Sequence, residues 1–171
     1  MRKRSYSPSQ VANSFIQYGA KKSIKVDPLK IQKLIFFAHG WSLALDGQAL
    51  IDEPFHAWRF GPVIGSIYHE FKQYGNSPIK HFMSELVEHE PNNYNWSSTF
   101  IDPQDVTTLN LVNKILKDYG KYTGSQLSAM THQKDSPWET TYSRGIKEGI
   151  ANGKEILNAD IKAYFDKILG E

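Results

Sequence analysis

A mainly α-helical fold, with a small antiparallel β element inserted between the second and third helices, is predicted by three features of the sequence. Ser7-Pro8, Asp27-Pro28 and Asp102-Pro103 each set a capping side chain directly before a proline, the punctuation of a helix start. The apolar residues that follow recur at offsets of three and four, which is a helical stripe. Only the stretch from Leu50 to Phe60 alternates, and Gly61-Pro62 closes it, so a short strand or hairpin is expected there.

The first helix is expected to begin at the Ser7 cap, bury Val11, Phe15 and Ile16, and end at Gly19. The second opens at Asp27-Pro28 and carries Ile31, Leu34, Ile35, Ala38, Trp41 and Leu45 on one stripe. Phe36 and Phe37 widen that stripe, so this helix is expected to be central to the core and buried on more than one side. Asp46-Gly47 breaks it. Pro62 then opens a third helix with Val63, Ile67, Tyr68, Phe71 and Tyr74 on its apolar side, stopped by Gly75-Asn76. Residues 76–101 are the least regular, and short strands are expected around Lys80–Met83 and Thr99–Ile101. A helix from Asp102-Pro103 runs to Tyr119-Gly120. Thr123 with Gln126 forms a capping box for a short helix, and Ser136 with Glu139 another. A last helix covers about Ala159 to Leu169. Gly145, Gly149 and Gly153, four residues apart, read as a loop or frayed turn.

The whole of residues 1–171 is expected to form one domain, with 1–6 a flexible basic tail. There is no Cys, which excludes disulfides and thiolate metal sites and fits a reducing cytoplasm, the expected location. No apolar segment follows Arg2-Lys3-Arg4 to make a signal peptide, and the longest apolar run, Leu34 to Ala38, is far too short to span a bilayer. No membrane partner is expected. The net charge of +2 is unevenly spread: residues 1–33 hold eight Lys or Arg against Asp27, and residues 46–105 hold nine acids against Arg59, Lys72 and Lys80. Aromatics are not interleaved with dense Arg and Lys, so nucleic acid is not an expected partner.

Motifs for chemistry are missing from the chain. None of the six histidines sits in a zinc spacing, and no glycine-rich phosphate cradle occurs, so no metal and no cofactor are expected. His39, inside the apolar helix, reads as a polar core residue with a backbone partner. His132, Asp135 and Ser136 supply the residue types of a hydrolytic triad, and a small hydrolase of unknown substrate is the alternative they leave open. Their closeness in sequence argues against triad geometry, and His69-Glu70, adjacent on a helix, point apart. No catalytic residue is assigned and the protein is expected not to be an enzyme.

The corner Trp58-Arg59-Phe60-Gly61-Pro62 is the best candidate for a functional surface, because Trp, Arg and Tyr dominate binding hot spots. Strand alternation sends Trp58 and Phe60 apart from their neighbours, and Phe60 is the one expected in the core. Trp58, Arg59, Tyr68 and His69 are the expected contact residues.

Two runs carry a family resemblance. IQKLIFFAHGWSLAL (Ile31–Leu45), followed by DEPFHAWRFGPVIGSIYHEFKQYG (Asp52–Gly75), resembles the Panacea antitoxin domain, also called the SocA-like or phage-associated domain. YGKYTGSQLSAMTHQKDSPWETTY (Tyr119–Tyr142) is similar to its second signature, and the likeness runs from about Ser9 to Phe165. The matching positions are Gln32, Lys33, Trp41, Asp52, Glu53, Trp58, Gly61, Pro62, Tyr68, His132, Ser136, Pro137 and Trp138. The resemblance implies a helical fold with a small β element and the role of antitoxin in a two-gene toxin–antitoxin system, often on prophages or plasmids. It implies direct binding of a cognate toxin protein. One branch acts instead as a proteolytic adaptor that delivers its toxin to an ATP-dependent protease. Many members carry an added DNA-binding domain, for which this sequence has no candidate segment. The aromatic corner could also seat a second copy of the chain, making a homodimer.

Overall fold

A computed structural model describes residues 5–150 and 152–170. The order is α1 (Pro8–Lys21), α2 (Pro28–Asp46), β1 (Phe55–Trp58), β2 (Gly61–Val63), α3 (Gly65–Phe71), β3 (Glu85–Glu90), β4 (Asn93–Ser97), α4 (Val106–Tyr119), α5 (Gly124–Thr131), α6 (Pro137–Lys147), β5 (Lys154–Ile156) and α7 (Asn158–Leu169). The fold is mainly α, and the β1–β2 hairpin lies between α2 and α3 as the sequence predicts. Among the described residues no helix is long and apolar enough to cross a membrane.

Helix α2 is the axis of the molecule. Every residue from Lys30 to Gly40 is buried, because α1, α3, α4, α5, α7 and β2 all pack on it. A helix apolar all round must be covered all round. Its phenylalanines organise the core: Phe36 meets Phe55 edge-on at 5.2 Å, and Phe37 stacks on Tyr119 at 4.5 Å. From α7, Phe165 packs edge-on against Trp41 at 5.2 Å. Gly40 makes that approach possible, since a Cβ there would stand 2.2 Å from the Phe165 ring. Leu45, expected on the buried stripe, is 57% exposed in the last turn of α2.

The caps follow the sequence closely. Ser7 and Gln10 form a capping box on α1, Asp27 accepts the Lys30 amide on α2, and Thr123 with Gln126 caps α5. Ser136 caps α6 through the Glu139 amide, but the expected box is only half formed, since Glu139 accepts the Ser143 hydroxyl instead of the Ser136 amide. Elsewhere the structure corrects the expectation. Helix α1 continues through Gly19 to Lys21. Helix α4 starts at Val106, because Asp105 and not Asp102 caps it; Asp102 closes a turn on the Gln104 amide. Asp105 also accepts the Tyr6 hydroxyl at 2.7 Å and the Thr108 hydroxyl at 2.7 Å, so α4 begins where three donors converge. Tyr6 is therefore no part of a flexible tail. Its ring is buried, and its backbone bonds Leu50 and Asp52. Arg2, Lys3 and Arg4 lie outside the described residues.

The second hairpin sits at Glu85–Glu90 and Asn93–Ser97, between Lys80–Met83 and Thr99–Ile101, the two segments expected to be strands, neither of which is one. Those segments are its tethers. The fully buried Asn13 of α1 donates to the carbonyls of Met83 and Thr99 at 2.9 and 2.8 Å and accepts the Met83 amide at 2.8 Å. Near the C-terminus β5 joins β1, giving a sheet of order β2-β1-β5, all antiparallel. Three residues with one buried side chain, Ile156, gave no pattern to find.

His39 is a core histidine, as expected. Its Nδ1 accepts the Ile51 amide at 3.4 Å and its Nε2 meets Asn158 Oδ1 at 2.8 Å, so the proton sits on Nε2. Burial pushes its pKa down to about 4, against the bond to Asn158 that favours charge. The unfolded chain takes a proton near pH 6.5 and the folded one only near 4, so acid withdraws stability across that window, up to about 3 kcal/mol. Urea unfolding between pH 7.5 and 4.5 is expected to show this slope, and His39→Gln is expected to flatten it.

Candidate protein-binding surface

The corner is a two-residue turn. Trp58 pairs with Gly61 across Arg59 and Phe60, then Ala57 with Pro62 and His56 with Val63. Gly61 has φ +109°, a backbone conformation that favours glycine. A Cβ at Gly61 would stand 2.7 Å from Lys33 Cε and 2.8 Å from Thr131 Oγ1. Both the dihedral and the space demand glycine.

Four side chains hold four alternate carbonyls of this segment. Trp138 Nε1 donates to Trp58 O at 2.8 Å, Ser128 Oγ to Phe60 O at 2.7 Å, Lys33 Nζ to Pro62 O at 2.9 Å and Gln32 Nε2 to Ile64 O at 3.0 Å. The Gln32 carbonyl oxygen also accepts the Ile64 amide at 2.9 Å, clamping both backbone polar groups of one residue. Gln32 and Lys33 come from α2, Ser128 from α5 and Trp138 from α6. The two halves of the sequence pattern thus meet at the corner. Glu53 completes the frame, accepting the Ser66 amide at 3.0 Å and its hydroxyl at 2.7 Å at the start of α3, which has no cap of its own.

Behind the corner lies a buried polar group with few partners. Lys33 is fully buried, and burial pushes its amine from 10.5 down to about 7. Among the described residues no carboxylate pairs with it. The His132 ring stacks on Trp138 at 3.7 Å, and Trp138 stacks on Tyr142 at 4.9 Å. His132 Nε2 is buried with no hydrogen-bond partner among the described residues. Burial pushes its pKa down, and the charge of Lys33 pushes it the same way. The hydrolytic set does not assemble here. Ser136 Oγ donates to Thr131 O at 2.8 Å while capping α6, which commits its proton, and Asp135 is exposed at φ +62°.

The outer side of the corner is aromatic and open. The Trp58 ring, half-buried, lies against Tyr68 at 4.8 Å, and Tyr68 reaches His69 at 5.5 Å. The exposed Arg59 guanidinium lies over the Phe60 ring at 5.5 Å. Trp58, Tyr68 and His69 thus touch in series across the hairpin and α3, and Arg59 follows Trp58 in the turn. Phe60, expected in the core, joins them: it is 63% exposed, because a two-residue turn lifts both central residues off the strand alternation. A tryptophan-arginine-phenylalanine run ending in a glycine turn was the available signal for it.

Trp41 stands apart. It bonds the Tyr119 hydroxyl at 3.4 Å and flanks a groove of about 360 Å³ with Leu45, Leu111 and Leu169.

The family model for "Antitoxin SocA-like, Panacea domain" matches residues 31–139. The chain belongs to that family. It is 30% identical over 158 residues to Antitoxin SocA of Caulobacter vibrioides (strain NA1000 / CB15N), covering 91% of this chain and 80% of that protein. No solved structure matches it. The matched segment of this Panacea domain begins at α2 and ends in the first turn of α6, so it holds all four side chains that fasten the corner.

Two variants probe the frame. Lys33→Met removes a group that takes a proton up to pH 10.5 when unfolded but only to about 7 when folded. Wild-type stability should therefore rise from pH 7 to 9.5 relative to the variant, at up to about 1.4 kcal/mol per pH unit, read from paired denaturation curves. Gly61→Ala is expected to cost roughly 2–4 kcal/mol, through the positive φ and the crowding by Lys33 and Thr131, read as a fall in thermal midpoint.

Proposed function

We propose that this protein is an antitoxin that neutralises a cognate toxin protein by direct, non-covalent binding in the cytoplasm. The observation that carries the reading is membership of the SocA-like Panacea family together with 30% identity to Antitoxin SocA across most of both chains. The contact surface in this reading is Trp58, Arg59, Tyr68 and His69, extended by Phe60. Its physical support is that the rigid hydrogen-bonded frame faces inward and the aromatic–cationic side faces solvent. Ordering a surface before it meets its partner removes part of the entropy cost of association. Large flat rings with one arginine are the chemistry of an interface core.

Nothing in this reading needs a bond to be made or broken. The toxin should keep its mass after incubation with the antitoxin. Its half-life in the cell separates plain neutralisation from delivery to an ATP-dependent protease, since only delivery shortens it.

The test is co-expression with the toxic product of the adjacent reading frame. Wild type is expected to restore growth. Trp58→Ala with Arg59→Ala is expected to weaken toxin binding about tenfold or more and to lose rescue, with an unchanged thermal midpoint. Full rescue by that folded variant would remove the corner as the contact surface.

A further inference from the structure

The β3–β4 hairpin presents an apolar face to solvent. Leu86 pairs with Trp96 and Glu88 with Tyr94 across the strands, so these four side chains share one face. Trp96 is 73% exposed, Leu86 54% and Tyr94 51%. Exposed tryptophan and leucine side by side in a two-stranded sheet form a patch that asks for a partner.

The two edges of the hairpin differ. Strand β3 carries Glu85, Glu88 and Glu90 and is broken by an irregularity between Glu88 and Glu90, both of which discourage pairing. Strand β4 reads Asn-Tyr-Asn-Trp-Ser, without charge, proline or bulge. Among the described residues its backbone pairs with β3 alone.

We infer that β4 is a self-pairing edge and that its occupant is β4 of a second copy of this chain. An antiparallel pairing centred on Asn95 sets Asn95 opposite its symmetry mate and brings each Tyr94 opposite the other copy's Trp96. Both aromatic pairs then lie on the face that already holds Leu86. The four-stranded sheet has the order β3-β4-β4-β3, which keeps the glutamates of the two copies on the outermost strands. Pairing β3 with β3 would bring like charges together, and β3 with β4 would not close on itself. The arrangement uses a hairpin separate from the corner and does not rest on toxin binding. One short strand pair buries less than the standard interface, so the dimer is weak and reversible, with a Kd on the order of tens of micromolar.

Sedimentation equilibrium of the full chain from 5 to 200 µM (roughly spanning that Kd) is expected to show monomer passing to dimer. Trp96→Glu should raise the Kd about tenfold or more while leaving the circular dichroism spectrum and thermal midpoint unchanged. The chain has no Cys, so Asn95→Cys supplies a single thiol. A short bismaleimide should link it into dimers and should not link Ser125→Cys on α5. A wild type that stays monomeric throughout, a dimer undiminished by Trp96→Glu, or equal cross-linking at both positions would each overturn the inference.

Discussion

Four hydrogen bonds to alternate carbonyls, at Trp58, Phe60, Pro62 and Ile64, are the constraint on which the arrangement of this protein turns. A buried carbonyl without a donor costs about 1–3 kcal/mol, so the hairpin could not lie against α2, α5 and α6 unless each of them supplied one. Because the donors come from three helices, the corner also fixes how those helices sit relative to each other. Loss of one donor therefore loosens a joint as well as a bond. Gly61 lets the backbone come close enough for the Lys33 amine to reach, and the Gln32 amide sets the register by holding both polar groups of Ile64.

Lys33 is the expensive member of that set. A buried ammonium without a carboxylate is costly, and the protein answers by lowering the amine's proton affinity until it titrates near neutrality. Both the charged and the neutral amine carry N–H groups, so either can donate to Pro62 O. The corner's geometry is therefore insulated from the charge state, while stability is not. The pKa of His132 is pushed down first by its own burial and further by the charge of Lys33. The stack of His132, Trp138 and Tyr142 holds the imidazole flat against the indole whose N–H holds Trp58.

Much of this could be read from the residues alone. Cap-plus-proline pairs located α1 and α2 because a proline at the first helical position forgoes only an amide that had no partner. The same signal failed at Asp102-Pro103: two residues later Asp105 offered a better cap, one that also collects the Tyr6 and Thr108 hydroxyls, and no local pattern reveals a partner 99 residues away. The breadth of the apolar stripe on α2 foretold its burial. The hairpin from Glu85 to Ser97 escaped notice because most of its side chains are exposed, leaving no alternation between core and solvent. At the site, the corner and its surface residues were visible as composition, whereas the roles of Gln32, Lys33 and Trp138 were not. Their targets are backbone atoms, which carry no sequence signature at the receiving end. Phe60 was misplaced for a related reason: turn length, not strand parity, decides where it points.

That the clamp grips backbone has a consequence for how such a domain can be used. The donors touch carbonyl oxygens at alternate residues, and carbonyls are the same whatever side chain is attached. Arg59, whose own carbonyl is not among the four, and Phe60, whose side chain is 63% exposed, are held in place without being read. A different residue at either position would meet the same frame, provided that it tolerates a tight turn and leaves Gly61 untouched. By contrast, Gln32, Lys33, Gly61, Ser128 and Trp138 each have a geometric partner that a substitution would strand. The fold therefore separates the residues that build the presenting frame from those it presents. A change at Arg59 or Phe60 therefore alters what the turn shows to solvent and leaves its four hydrogen bonds in place.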